Sequence, residues 1–435
     1  MAQAMLSRSR ARFDAYVARL GDAVRHADRR EPLRAYLTGL LLPGERKSVE
    51  PMAARVDPRR TRSRHQSMHH FVAVSPWDEG EVLAVARDHA LAAMERHAPV
   101  GAWVVDDTGH PKKGRHSVGV ARQYCGILGK QDNCQVAVSV SLVNEAMSVP
   151  AAYRLYLPET WAGDAERRRK AGVPEEVAFA PKWRIALDEM RRMLEEGLPR
   201  APVVSDAGYG DATEFRDGIR SLGLSYAVGI KPGTTLWGPG TAPLPPQPYS
   251  GRGRPPRRLR RDGEHRPLTA QDLAAKLPRS AWRTLRWREG TKGRMSSRFA
   301  MLRVRPAHRD IHRHAPREEE WLLIEWPVSE PAPTKYYLSS VPQDASLKDL
   351  VGLIKLRWRI ERDYQEMKGE LGLGHYEGRG WRGFHHHAAL CIAAYAFLAA
   401  ERAGLSPPQA LAFLRQPRLP RGFRPRGAAA PHPAP

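Results

Sequence analysis

An α/β fold, a mixed sheet flanked by helices, is what this sequence predicts, and three observations predict it. Between residues 101 and 230, apolar runs of strand length alternate with amphipathic helical runs. Two of the strand-like runs, "GAWVVDDT" and "APVVSDAGYG", carry aspartates at their C-terminal ends, where α/β sheets tend to place ligands. The chain has 435 residues, 42% of them hydrophobic, which suggests two or three structural units and a sizeable core.

The elements follow in order. Residues 1–95 read as an N-terminal helical unit rich in arginine, which suits DNA contact and equally a plain helical cap. "FDAYVARLGDAVRH" and "EPLRAYLTGLLL" have helical apolar spacing, and the basic stretch "VDPRRTRSRHQSMHH" reads as a connector. "SPWDEGEVLAVARDHALAAMERH" opens on Ser75-Pro76 and runs as an amphipathic helix. From Gly101 the pattern changes. "GAWVVDDT", "VARQYCGIL", "QVAVSVSLVN" and "VPAAYRLYLP" are β-rich, with "GKQDN" turn-like between the second and third. "PKWRIALDEMRRMLEEG" is a helix that stops at Gly197. The strand "APVVSDAGYG", the helix "DATEFRDGIRSLG" and the strand "LSYAVGI" complete residues 96–230. Antiparallel strands leading into a helix-crossed parallel pair are the order of an RNase H-like core.

Residues 231–330 read as a basic, β-rich insertion. It opens on Pro/Gly/Arg-rich chain that cannot be a core element, and continues with "WRTLRWREG", "MSSRFAMLRVRPAHR" and "EEWLLIEWPV" as strands. Residues 331–405 return to the core with the strand "TKYYLSSV" and one long helix, "SLKDLVGLIKLRWRIERDYQEMK", which Ser346 and Asp349 open as a capping box. Residues 406–435 form a Pro/Arg tail, expected to be disordered.

Charge narrows the partner. Lys and Arg number 70 against 47 acids, a net charge of +23, which attracts a polyanion, nucleic acid first. An Ala/Arg/Pro/Gly-rich composition also arises from base-composition drift. Three cysteines without a CxxC pattern exclude a disulfide scaffold and argue against structural zinc. With no apolar signal core and no run of membrane-spanning length, the expected setting is the bacterial cytoplasm, on the nucleoid, with no membrane contact.

The acids give the charge its chemistry. Asp106 and Asp206 end strands, and Glu361 lies on the late helix, which an RNase H-like topology packs across the ends of those strands. Phosphodiester cleavage must hold an attacking and a leaving oxygen in line, and two divalent ions about 3.5–4 Å apart clamp both. Magnesium takes hard oxygen ligands and keeps waters, so two or three carboxylates suit it. The three acids are therefore expected within reach of a two-ion site holding Mg2+ or Mn2+, with Asp107 on the opposite face of its strand. Each Asp taken alone is equally read as a turn former or helix cap. Around Glu361, the steps of 4, 3 and 4 residues put Arg357, Glu361, Tyr364 and Lys368 on one helical face. A solvated stripe of helix salt bridges is the plainer reading of that face.

With "VVDDTGHPKKG", "VVSDAGYG" and "LRWRIERDYQEMKGELGLGHYEGRGWRGFHHH" quoted together, the chain resembles the DDE transposases of bacterial insertion sequences. It is similar to the branch with a Tyr-Arg-Glu-Lys signature on the Glu helix, insertion-sequence family 701 above all, over about residues 65–405. The resemblance implies Asp106, Asp206 and Glu361 as the catalytic, metal-holding acids, and Arg357 and Lys368 as phosphate-holding residues. It implies binding to double-stranded DNA at terminal inverted repeats, cutting at the element ends, and joining of 3′-hydroxyls to target DNA by a protein at least dimeric on DNA. A non-catalytic DNA-binding derivative and an RNase H-like nuclease that only cleaves are the alternatives. Two positions depart from the pattern. Ile354 stands where the signature Tyr belongs, with Tyr364 one turn beyond Glu361 as its substitute, and Gly374 stands where Asp is expected. Lys112 and Lys113 on the loop after Asp106, and Tyr336 on the strand before the Glu helix, are further DNA-contact candidates. An ordinary turn and an ordinary strand tyrosine are their plainer readings. His385, His386 and His387 cannot share one helical face, so packing or DNA contact is expected of them rather than metal binding. Cys125 and Cys134 are expected in the core.

Overall fold

The computed structural model describes residues 2–290 and 293–405; the predicted tail 406–435 lies outside them. The described residues form two compact units, one from residues 2–200 with 356–405, the other from residues 201–355.

The first unit begins with five helices: α1 (Ala2–Ala23), α2 (Ala27–Leu41), α3 (Val49–Val56), α4 (Thr61–Ala73) and α5 (Glu79–Glu95). The stretch read as a basic connector is instead mostly helix. Pro58 starts a 3-10 turn and α4 follows, burying Met68, Phe71 and Val72 while exposing Arg62, Ser63, Gln66, His69 and His70. Its apolar residues crowd into its second half, so no full periodic stripe is written in the sequence. Asp78 caps α5 by accepting from Gly80 N. Strands β1 (Ala102–Pro111), β2 (Ala121–Cys125), β3 (Lys130–Val143) and β4 (Ser148–Leu155) are all antiparallel, with β3 paired to each of the others. Short helices α6 (Glu159–Ala162) and α7 (Ala165–Ala171) lead to α8 (Lys182–Glu195), which the chain leaves through Gly197 at φ +80°, a left-handed turn that favours glycine.

The second unit starts with the parallel pair β5 (Val203–Ser205) and β6 (Tyr226–Ile230), joined through α9 (Ala207–Gly210) and α10 (Thr213–Ser221). A Cβ on Gly210 would sit 2.2 Å from the Gly229 carbonyl oxygen, so the turn after Asp206 lies flat on β6 only because both positions lack side chains. Then follow β7 (Thr235–Trp237), β8 (Leu268–Thr269), α11 (Ala270–Ala275), β9 (Arg283–Gly290), β10 (Gly293–Pro306), β11 (Glu320–Pro327), β12 (Lys335–Ser339) and α12 (Leu347–Lys355). From β6 the sheet continues antiparallel through β12, β11 and β10, and β10 also pairs with β9 and β7. Ser346 and Asp349 form the expected capping box: Asp349 N donates to Ser346 Oγ and Ser346 N to Asp349 Oδ2, both at 3.2 Å.

The chain returns to the first unit as α13 (Trp358–Gly369) and α14 (Trp381–Leu405). The single helix expected here is two, broken at Leu356 and Arg357. Helix α14 is apolar all round over Ala388–Ala400 and correspondingly buried, packed against α5, α4, α2 and β4. The architecture is thus an RNase H-like α/β fold with a mixed sheet, flanking helices and a helical N-terminus.

Candidate active site

Strand β1 presents its two aspartates to different partners. In the antiparallel register Asp106 lies opposite Ser139 and Asp107 opposite Val138. Asp107 forms an ion pair with Lys182 of α8, and Asp106 takes a contact from Arg357 at the start of α13. Alternation along a strand sends neighbours to opposite faces, which is the separation expected of the pair.

Arg357 holds two acids at once. Its Nη1 stands 3.3 Å from Asp106 Oδ2, and its Nη2 donates to Glu361 Oε1 at 2.8 Å. The second contact spans four residues, as a shared helical face requires. Asp106 has a side chain only 16% exposed, whereas Glu361 is 62% exposed. Close carboxylates repel unless a cation lies between them, and here that cation is the guanidinium.

Tyr364 and Lys368 continue the stripe inward. The Tyr364 hydroxyl is buried and hydrogen-bonded to Ser139 Oγ, across the strand from Asp106. Burial pushes its pKa up, so the phenol stays neutral. It fastens α13 to β3 and lies in the core rather than on a DNA-facing surface. Lys368 Nζ donates to the Gly109 carbonyl at 2.9 Å. Burial lowers its pKa, and Cys125, Asp106 and Asp107 oppose the shift. Lys112 Nζ donates to the Tyr376 carbonyl at 2.7 Å and is likewise lowered by burial, while Lys113 is exposed.

The second unit places the remaining candidates. Asp206 ends β5 and caps α9, its Oδ1 accepting from Gly208 N at 2.9 Å and Tyr209 N at 3.4 Å. One oxygen serves the cap, so cap and cation ligand are compatible roles. Tyr336 is buried and donates to the Pro333 carbonyl at 3.1 Å. Ile354 is a core residue of α12.

Sequence reasoning missed Asp363. It is buried, with Ser148 Oγ donating to one oxygen at 2.5 Å and the Tyr395 hydroxyl to the other at 2.7 Å. Burial pushes its pKa up to about 7. The signal was its place on the apolar stripe of Ile360, Tyr364 and Met367. His385, His386 and His387 are buried with separate partners, so they are packing residues: Leu155 N donates to His385, Val72 and Trp77 carbonyls flank His386, and Tyr36 meets His387. Cys125 and Cys134 are buried in the core as expected.

Asp106 and Glu361 supply the hard oxygen donors a divalent ion takes, and one cation already spans them. Among the described residues, no group of three or more His, Cys, Asp or Glu is placed to hold a metal ion. What the structure presents in the first unit is an acid pair held by Arg357.

An α/β fold of this order, with strand-end aspartates and a glutamate helix, defines a nuclease-like class. The chain matches the DDE superfamily endonucleases over residues 19–294, and it belongs to that family. Asp106 and Asp206 lie within the matched stretch and Glu361 beyond it. Over 167 residues the chain is 32% identical to the "Probable transposase for insertion sequence element IS701" of Microchaete diplosiphon, a match covering 38% of this chain and 40% of that protein.

Proposed function

We propose that this endonuclease-family chain is the transposase of an insertion sequence. It binds the terminal inverted repeats of its element, cleaves phosphodiester bonds at the ends, and joins the freed 3′-hydroxyls to target DNA. The observation that carries the reading is the convergence of Asp106 and Glu361, far apart in sequence, on the Arg357 guanidinium. The family match and the similarity to the cyanobacterial protein support it.

In this reading Asp106 and Glu361, with Asp206, hold Mg2+ or Mn2+. A divalent cation supplies the charge stabilisation that the attacking and leaving oxygens of a phosphodiester need. Arg357 and Lys368 grip the phosphates, a forked donor beside a point charge. Asp363 and Tyr364 fix α13 so that Glu361 keeps its position. The protein acts on DNA as at least a dimer, on the cytoplasmic nucleoid; no helix among the described residues is long and apolar enough to cross a membrane.

Incubating the full chain with DNA that carries the element's own ends tests the reading. Cleaved ends and joined products are expected with wild type, and neither with Asp206→Ala. Cleavage without joining would leave a nuclease, and binding without cleavage a non-catalytic DNA-binding derivative.

The N-terminal helices supply the DNA grip in this reading. Helix α4 contains no acid, and its exposed face carries Arg62, Gln66 and His69 one turn apart. Arg60 and Arg64 are engaged by Asp57 and Glu31, so they serve the fold. Arg62→Ala combined with Gln66→Ala should weaken end-DNA binding at least about tenfold, the scale of one or two lost base or phosphate contacts. The same double variant should leave the melting temperature within about 2 °C, since both side chains are exposed. A gel-shift titration across salt concentrations reads the first effect, and an unchanged affinity removes α4 from the interface.

A further inference from the structure

The DNA-free chain already has a cation between Asp106 and Glu361, and it is a side chain. The two nitrogens of one planar fork reach the two acids, Nη1 to Asp106 Oδ2 at 3.3 Å and Nη2 to Glu361 Oε1 at 2.8 Å. We propose that Arg357 is the resident counter-ion of this acid pair and competes with the divalent cation for it. Arg357 then moves off as the ion is taken up, which makes it available to a phosphate. The proposal rests on the reading of Asp106 and Glu361 as cation ligands and adds what occupies their charge beforehand.

Three features support a movable role. Arg357 sits at the break between α12 and α13, where its side chain makes no helix cap, so leaving the acids breaks no helical bond. Its side chain is 31% exposed and that of Glu361 62%, so the ion pair between them is screened by water and weak. A carboxylate oxygen that accepts from a guanidinium offers less of its charge to a second cation, and the two cations repel each other. Lys368, the other basic residue of the stripe, is held on the Gly109 carbonyl instead. Asp107 is neutralised separately by Lys182.

Charge competition of this kind is a coupling between two ligands of one pair, and such couplings fall at about 5–150-fold. The test measures Mn2+ binding to the full, DNA-free chain by electron paramagnetic resonance, which counts free Mn2+ and needs no catalysis. Wild type, Arg357→Ala, Arg357→Lys and Glu361→Gln are compared, with circular dichroism melting to establish that each is folded. Arg357→Ala is expected to bind Mn2+ about tenfold more tightly than wild type, within that coupling range. Arg357→Lys, which keeps a charge but loses the fork, should fall between them, and Glu361→Gln should bind more weakly than wild type. Should the alanine variant misfold, Arg357→Lys alone decides, since tighter binding than wild type is still required of it. Equal or weaker binding by the folded Arg357 variants overturns the proposal while leaving the acids as ligands. Mn2+ binding that Glu361→Gln does not weaken, or its absence from every variant, overturns the reading of the acids, and the proposal with it.

Discussion

Glu361→Gln should reduce DNA-end cleavage by about a thousandfold or more while leaving the fold as stable as wild type. The two halves of this expectation come from different observations. The side chain is 62% exposed and is bonded by Arg357, an exposed i,i+4 contact worth about 0.3–0.5 kcal/mol. Its removal therefore shifts the melting temperature by no more than a few degrees. In its proposed role as a cation ligand, Glu361 matters far more to rate: removing one hydrogen-bond donor from an oxyanion hole costs about 10²–10³, and a lost ligand of the catalytic cation is expected to cost at least as much. Asp363, two residues along the same helix, predicts the reverse. It is buried and accepts from Ser148 and Tyr395, so Asp363→Ala leaves two buried hydroxyls without their acceptor. That costs about 2–4 kcal/mol of stability, and because Asp363 anchors the helix that carries Glu361, the loss of activity follows the loss of stability and is far smaller than for Glu361→Gln. Measuring cleavage and melting for both variants separates the roles. A Glu361→Gln protein that melts far below wild type, or that still cuts, would place Glu361 in the scaffold instead.

The contrast between these two acids also shows what the sequence could and could not reveal. Strand-end aspartates and a glutamate within "WRIERDYQ" were legible because residue type, element order and spacing are local properties of the chain. The face shared by Arg357 and Glu361 was legible for the same reason, since i and i+4 meet on a helix whatever surrounds it. Tyr364 was placed on the right stripe, but which side of that stripe faces the core depends on Ser139 of β3, a partner 225 residues away. The break between α12 and α13 was hidden because "GLIKLRWRIE" contains no Gly or Pro at the break itself and keeps helical spacing through it. Helix α4 was hidden by its basic first half. Its second half becomes a helix by packing Met68, Phe71 and Val72, and tertiary burial is invisible in a window of charged residues.

Acid should unfold the first unit steeply between pH 6.5 and about 4, and the buried histidines set the direction. Burial brings His385 and His387 down to about 4 and His110 well below its usual value. His386 is brought to about 3, with the Trp77 and Val72 carbonyls opposing burial. In that window the folded chain keeps these rings neutral while the unfolded chain protonates them. The unfolded state therefore binds more protons, and stability is lost as pH falls. Asp363 acts the other way. Its pKa is raised to about 7, so between the ordinary carboxylate value and 7 the folded state holds a proton that the unfolded state releases. The four histidines less one aspartate leave a net uptake of about three protons on unfolding, or about 4 kcal/mol per pH unit at the steepest. Urea unfolding of the full chain at intervals from pH 8 to pH 4.5 measures the slope. His387→Gln, which retains a polar group toward Gly372 and Tyr36, should flatten it by about one proton. A slope near zero would mean that these rings take up their protons while still folded, and that the α14 core opens to water before the chain unfolds.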